Sequence, residues 1–283
     1  MSAQDLSKIA NGLRALVLEM VHRVGAGHVA GPMSSADLFA VLYMGGVLKY
    51  DVNNPWDNER DRFVLSCGHY CPVLYSALVK AGYLQVEELA SFMKIDSRLP
   101  GHPEYRCAPG VEATTGSLGQ GVSVAVGQAL AIKLKYGERP REETPRVYCL
   151  LSDGELQEGQ VWEAFNTAVR RQLDSLIFII DRNRVQIENY VSQIVGYTEI
   201  TGRLESFGLH TLETDGNDIG KVQKIIEKAI EHEGGPVVVV LDTIAGKGVS
   251  FMEGKPEWHD KVPNDEELKA ALLELGVKDE QLV

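Results

Sequence analysis

No stretch of this 283-residue chain approaches the roughly 20 consecutive apolar residues that a membrane-spanning helix needs. The opening residues Met1-Ser2-Ala3-Gln4-Asp5 lack the basic segment and apolar run of an export signal, so a cytoplasmic protein is expected. Cysteine is scarce. Cys67, Cys71, Cys107 and Cys149 are too few and too irregularly spaced for a disulfide framework or a paired Cys-x-x-Cys zinc site, and they read as reduced thiols. Positive charge is also short: 28 Lys and Arg against 40 Asp and Glu leave a formal net charge of −12. That field repels polyanions, which argues against nonspecific binding to nucleic acid or an anionic membrane. A phosphorylated substrate would need local groups to capture it. Repeats, low-complexity tracts and interdomain linkers are missing as well. Core-forming material is not: 44% of the residues are hydrophobic, enough for one large α/β domain or two small ones.

Apolar residues from Leu6 to Val24 recur at three- and four-residue intervals, which predicts an amphipathic helix, and Ser34/Ser35 before an apolar segment predicts another helix start. Strands are expected at Arg62–Ser66, Arg146–Leu151, Ser175–Asp181, Leu209–Glu213 and Val237–Asp242. Helices are expected at Leu118–Lys135, Glu158–Arg171 and Asp218–Glu231. This alternation predicts an α/β fold, a doubly wound and mostly parallel sheet with helices on both faces. Arg184 to Gly196 has no clear period and reads as a functional loop at a strand end, Tyr136 to Pro145 as an exposed connection, and Asn264 to Val283 as a final helix with a short tail.

The richest chemistry follows two of the expected strands. Ser152-Asp153-Gly154-Glu155 follows one apolar run and Asp181-Arg182-Asn183-Arg184-Val185 follows the next, with Asp153 and Asn183 30 positions apart and a helix between them. Strand ends of one βαβ unit share an edge of a parallel sheet. The Asp153 carboxylate, the Asn183 amide oxygen and the Val185 carbonyl would then converge as hard oxygen ligands of the kind Mg²⁺ prefers, with Mn²⁺ and Ca²⁺ as other ions such a set accepts. Gly154 would let the backbone approach a diphosphate. The plainer reading is that Asp-Gly is a turn and Asn a loop residue tolerant of positive φ.

The longer run Ser152-Asp-Gly-Glu-Leu-Gln-Glu-Gly-Gln-Val-Trp-Glu-Ala, with Asp181-Arg-Asn-Arg-Val-Gln-Ile, resembles the thiamine diphosphate motif of transketolases, which usually have Gly where Ser152 stands. The resemblance continues in Gly25-Ala-Gly-His-Val-Ala-Gly-Pro-Met, Asp61-Arg-Phe-Val-Leu-Ser-Cys-Gly-His, Pro100-Gly-His-Pro-Glu-Tyr, Pro109-Gly-Val-Glu-Ala-Thr-Thr-Gly-Ser-Leu-Gly-Gln-Gly and Lys255-Pro-Glu-Trp-His. It spans nearly the whole chain. It implies that His28 and His259 contact sugar hydroxyls, with His259 also at the cofactor. By the same resemblance His69 binds the diphosphate, His102 lies by the donor hydroxyl and the aminopyrimidine, and Gly116 and Leu118 touch thiamine diphosphate. Near-neutral pKa values would suit these histidines to proton shuttling. Glu158 and Glu163, five positions apart, are solvated carboxylates by default, and the resemblance places them near a subunit interface.

A complete transketolase is much longer. By the resemblance, residues 1–283 form one N-terminal, diphosphate- and metal-binding domain, while the pyrimidine-binding and C-terminal domains belong to a partner polypeptide, with two copies of each chain. The chain alone is then expected to be nearly inactive. The implied reaction moves a two-carbon ketol unit from a ketose phosphate to an aldose phosphate, as in the pentose phosphate pathway. The Trp258-His259 segment and Gly101-His102-Pro103-Glu104 favour this over a deoxyxylulose phosphate synthase or a 2-oxo acid dehydrogenase α-subunit. A noncatalytic cofactor-binding module is the alternative from another class, left open by Ser152 and by Asp260 where the family commonly has Gly.

Overall fold

The apolar runs near 150 and 180 become the two central strands of a parallel sheet because both of their faces can be covered. Such strands read as continuous hydrophobic runs, without polar alternation. A computed structural model describes residues 1–137, 139–187, 189–196 and 199–277. In chain order its elements are α1 (Ala3–Val24), α2 (Ala30–Ser34), α3 (Ala36–Phe39), β1 (Arg62–Leu65), α4 (Cys71–Lys80), α5 (Gln120–Tyr136), β2 (Val147–Ser152), α6 (Gly159–Arg170), β3 (Leu176–Arg182), β4 (Val185–Gln186), β5 (Asn189–Tyr190), α7 (Val191–Val195), α8 (Thr201–Ser206), β6 (His210–Asp215), α9 (Ile219–Glu231), β7 (Val237–Asp242) and α10 (Asp265–Glu274).

Five strands pair in the order β1-β2-β3-β7-β6, all parallel. Successive residues of β2 feed opposite cores: Tyr148 and Leu150 join Leu13, Leu74 and Val222, from α1, α4 and α9, while Val147, Cys149 and Leu151 join Val126, Phe165 and Leu204, from α5, α6 and α8. This is the doubly wound α/β arrangement the alternation of elements predicts. The ends of β1, β2, β3 and β7 therefore open onto one edge, where ligands of such sheets bind. No helix among the described residues is long and apolar enough to cross a membrane.

Local signals set the boundaries. Ser2 and Asp5 form a reciprocal capping box at the start of α1, and Gly25, at φ 76°, ends that helix and turns the chain toward His28. Several expectations need correction. A helix does start after Ser34/Ser35, with Ser35 at the N-cap position of α3, but neither side chain caps it and the backbone is already helical from Ala30. The Ser34 hydroxyl instead lies 2.7 Å from both the Gly31 carbonyl and the Asp181 carboxylate. The stretch expected to be a loop at 184–196 holds the β4–β5 hairpin and α7, with Glu188 outside the described residues. The connection from Tyr136 to Pro145 is exposed only in its middle, since Tyr136 and Pro145 are themselves buried. The last helix is α10, and the expected tail at 278–283 lies outside the described residues. The four thiols are free, three of them buried.

Candidate active site

Two groups of side chains meet at the carboxyl edge of the sheet. The first hangs on β2 and β3, whose final pairing is Ser152 with Asp181. Asp153, one residue on, is 4% exposed, and its two carboxylate oxygens accept the Gly154 and Arg184 N–H groups, each at 2.9 Å. Asn183 donates through Nδ2 to the Tyr70 hydroxyl and to Asp181, both at 2.8 Å, so its Oδ1 is turned toward Val185, accepting that N–H at 3.0 Å. Asp153 is thus tied to the Arg184 N–H and Asn183 to the Val185 N–H, within one turn after β3. Burial first, and then the negative charge of Asp181, push the Asp153 carboxyl up to about 7.

Asp181 organises this turn from beneath. It accepts hydrogen bonds from Ser34 and Tyr70, each at 2.7 Å, from Asn183, and from the Thr243 hydroxyl, so four elements lock the Asn183 amide in one orientation. Glu155 plays a similar part on the other side. Fully buried, it accepts from Ser66 Oγ at 2.5 Å and the Gly119 N–H at 2.7 Å, which pins the Gly116–Gly119 turn to the ends of β1 and β2. Burial raises its carboxyl to about 7. Ser152 Oγ accepts the Glu155 N–H at 3.3 Å, so the hydroxyl is taken up by the turn. Close approach here requires glycine: a Cβ on Gly68 would stand 2.8 Å from the Gly116 nitrogen, and Gly116 itself has φ +150° with His102 3.3 Å from where its Cβ would lie.

The second group is the histidine cluster. His28 follows the end of α1, His69 sits in the turn after β1, His102 in the loop after Pro100, and His259 after the turn Pro256–Trp258. Their rings converge: His28 lies 4.9 Å from His69, 5.1 Å from His259 and 6.3 Å from His102, and His69 lies 5.5 Å from His259. Backbone and side-chain bonds hold the loops. The Val29 N–H donates to the His259 carbonyl at 3.1 Å, Thr115 N–H to the Pro103 carbonyl at 3.0 Å, and Tyr75 OH to the Pro100 carbonyl at 2.9 Å. The expected near-neutral pKa values do not hold. Burial and then the neighbouring rings lower His28 to about 4, the same causes hold His69 well below the usual range, and burial lowers His102 and His259. Asp260, outside the cluster, opposes this at His28 and His259. Neutral imidazoles crowded together accept hydroxyl protons in hydrogen bonds, and each resists holding a charge beside the others.

Leu118 is half-buried in the turn before α5, Gly154 is buried beside Gln186, and Glu158 and Glu163 are both exposed on α6 and its preceding residue. Tyr70 links the two groups: its ring lies 4.7 Å from that of His69, while its hydroxyl bonds Asp181 and Asn183.

The family model described as transketolase, thiamine diphosphate binding domain matches residues 6–283. The chain belongs to the transketolase family. It is 40% identical over 271 residues to a 6-deoxy-6-sulfo-D-fructose transketolase subunit of Clostridium sp., covering 96% of each chain. It is 38% identical to an apulose-4-phosphate transketolase subunit of Actinobacillus succinogenes, covering 99% of this chain and 98% of that one. Its structure superimposes on transketolase from Campylobacter jejuni with a TM-score of 0.92 at 34% identity, over 100% of this chain and 44% of the other. The transketolase fold and family make this a chain of a transketolase-type transferase carrying the thiamine diphosphate-binding domain. It spans less than half the length of whole transketolases, 40% in the human case.

Glu155, Asp181, Tyr70, Ser34 and Thr243 were not identified from the sequence as part of the site. Glu155 and Asp181 stand inside the quoted motifs, so a signal existed. Nothing in the spacing marks them as fully buried acceptors.

Proposed function

We propose that this transketolase-family chain supplies the diphosphate and metal half of a two-chain ketol transferase. The observation that carries the metal assignment is a buried carboxylate, Asp153, with an amide oxygen and a backbone turn beside it and no ion pair among the described residues. Such a set fits Mg²⁺, because hard oxygen donors leave further positions for phosphate oxygens and water. A cage of three or more His, Cys, Asp or Glu side chains is not found among the described residues, so the fit rests on this mixed set of oxygen donors. Asp153, Asn183 and the Val185 carbonyl would hold the ion. Gly154, Gly116, Leu118 and His69 would line the bound cofactor.

Thiamine diphosphate, when bound, supplies the nucleophilic carbon and electron sink for breaking and remaking a carbon–carbon bond. The chain's own contribution is positioning and proton handling. His28 and His259, kept neutral by burial, would accept a sugar hydroxyl proton, and His102 would hold the donor hydroxyl near the cofactor, with His259 touching both. Four converging histidines favour turnover over a module that only binds cofactor, since holding a diphosphate does not call for the sugar-facing pair.

The substrate class we propose is an anionic ketose, as the names of the relatives above suggest, with an aldose as acceptor. Residues 1–283 would act as one domain, and a second polypeptide would supply the aminopyrimidine-binding half, two copies of each chain assembling in the cytoplasm. Support comes from relatives named as subunits that match this chain end to end. Recovering the chain from its native cell under mild conditions and assaying ketol transfer with thiamine diphosphate and Mg²⁺ tests this. An active complex with a stoichiometric companion is expected. Activity without a companion would overturn the half-site, and a companion-bound chain that neither binds the cofactor nor turns over would overturn the enzyme.

A further inference from the structure

At the opposite end of the sheet from the cofactor cleft, where β2 and β3 begin, lies a cavity of about 170 Å³ lined by Lys133, Arg139, Arg141, Arg146, Asp174 and Ser175 among others. Among the described residues four cations line it with one carboxylate, Asp174, while Glu233 also acts on Arg141 and Asp61 on Arg146, in a chain whose net charge is −12. Two of the four are already committed. Lys133 Nζ donates to the Arg171 and Gln172 carbonyls at 2.9 and 2.8 Å, closing the end of α6, and Arg139 pairs with Glu59. The other two are poorly matched. Arg141 reaches the Glu231 carbonyl at 3.2 Å through Nη1, yet its Nε, the Arg146 Nε and the Ser175 Oγ are buried without a hydrogen-bond partner among the described residues.

Arg146 is 8% exposed and Ser175 7%, so bulk water does not simply solvate them. Buried polar groups are nearly always paired, and three unpaired donors on one cavity point to something that pairs them. Burial and then the like charge of Arg146 hold the Arg141 guanidinium below its ordinary value, although Asp174 and Glu233 oppose this. Two guanidinium groups match a dianion in charge, and their planar forks match a tetrahedral oxyanion in geometry.

We propose that this cavity binds the phosphate group of a small phosphorylated metabolite between Arg141 and Arg146, with the Ser175 hydroxyl as a further donor. The site is distinct from the cofactor cleft, because the seven residues of β3 separate the two by roughly 20 Å at about 3.3 Å per residue. It stands independently of the metal and histidine assignments. Both sites sit on β2 and β3, one at each end.

Titration calorimetry of inorganic phosphate into the native assembly at low salt, with thiamine diphosphate and Mg²⁺ saturating, tests the proposal. Saturable binding is expected, weakened about tenfold or more by Arg146→Met and by Arg141→Ala, unchanged by His28→Asn, and stronger than that of acetate at equal ionic strength. Arg141 lies in a short turn with no fully buried residue, so its variant remains informative if Arg146→Met fails to fold. An isotherm indifferent to the arginine changes, phosphate no tighter than acetate, or no saturable binding would each overturn it.

Discussion

The carboxylate row and the histidine cluster adjoin through Tyr70 but are held in opposite ways. Asp153, Asn183, Asp181 and Glu155 grow from adjacent strands and each is tied by several hydrogen bonds, so their positions follow from the sheet. The four histidines come from four separated loops, and no bond from their ring nitrogens to another described residue fixes them. Their order comes from backbone contacts of the loops and from packing against one another. Rigid strand ends suit a metal and diphosphate, whose geometry changes little. Imidazoles without a hydrogen-bond partner among the described residues keep their nitrogens available to a substrate. Burial acts on both rows with opposite effect, raising the carboxyls and lowering the imidazoles, because in each case it disfavours the charged form.

The contrast can be broken at several points. The largest effect is expected from Asp153→Ala, which should remove metal-dependent cofactor binding, a loss beyond the roughly 100-fold that altering an outer partner of a metal site costs. Retained affinity in a thiamine diphosphate titration with and without chelator would sink the metal assignment. Replacing His28 by Asn should lower turnover of the assembled enzyme by about 100-fold while cofactor affinity stays within about threefold. If affinity fell with turnover, the two rows would not be separable.

A smaller effect is expected from Tyr70→Phe. It removes a donor to Asp181 and an acceptor for Asn183, at a cost of about 1 kcal/mol in denaturant unfolding. Metal affinity should drop as well, because the Asn183 amide loses one of its anchors. An unchanged metal affinity would mean that Asp181 alone sets the orientation.

The subtlest test is pH. His28 titrates at about 4 when folded and near 6.5 otherwise, so on acidification the unfolded chain takes up a proton that the folded one refuses. Its contribution therefore destabilises the fold progressively as pH falls from 6.5 toward 4. Asp153 and Glu155, raised to about 7, do the reverse: in the absence of a metal their penalty grows as pH rises from about 4 toward 7. His28→Asn should accordingly gain stability relative to the parent between about pH 7 and about pH 5, measured by urea midpoints. A gap that does not change with pH would show a ring in contact with solvent.

Legibility in the sequence followed the range of the interactions. Asp153 and Asn183 could be placed because one βαβ unit carries both, and a strand that ends in a polar turn declares itself locally. α4 was missed for the opposite reason. Every residue from Cys71 to Leu78 is buried, so the helix shows no polar face and no period to read. The convergence of the histidines was expected only from family resemblance, since no spacing rule joins positions 28, 69, 102 and 259. Their depressed pKa values were not expected at all.

The sequence by itself determined the strands, their alternation with helices and the polar residues at the strand ends, because hydrophobic patterning and local turn chemistry act within one unit of the chain. Only the tertiary structure decided which loops meet, that Asp181 and Glu155 are buried acceptors and not surface acids, and which charges are raised or lowered. Those outcomes depend on desolvation and on partners such as Ser34, Tyr70, Thr243 and Ser66, which lie from about 60 to nearly 150 positions away along the chain and become neighbours only when the sheet closes beneath them.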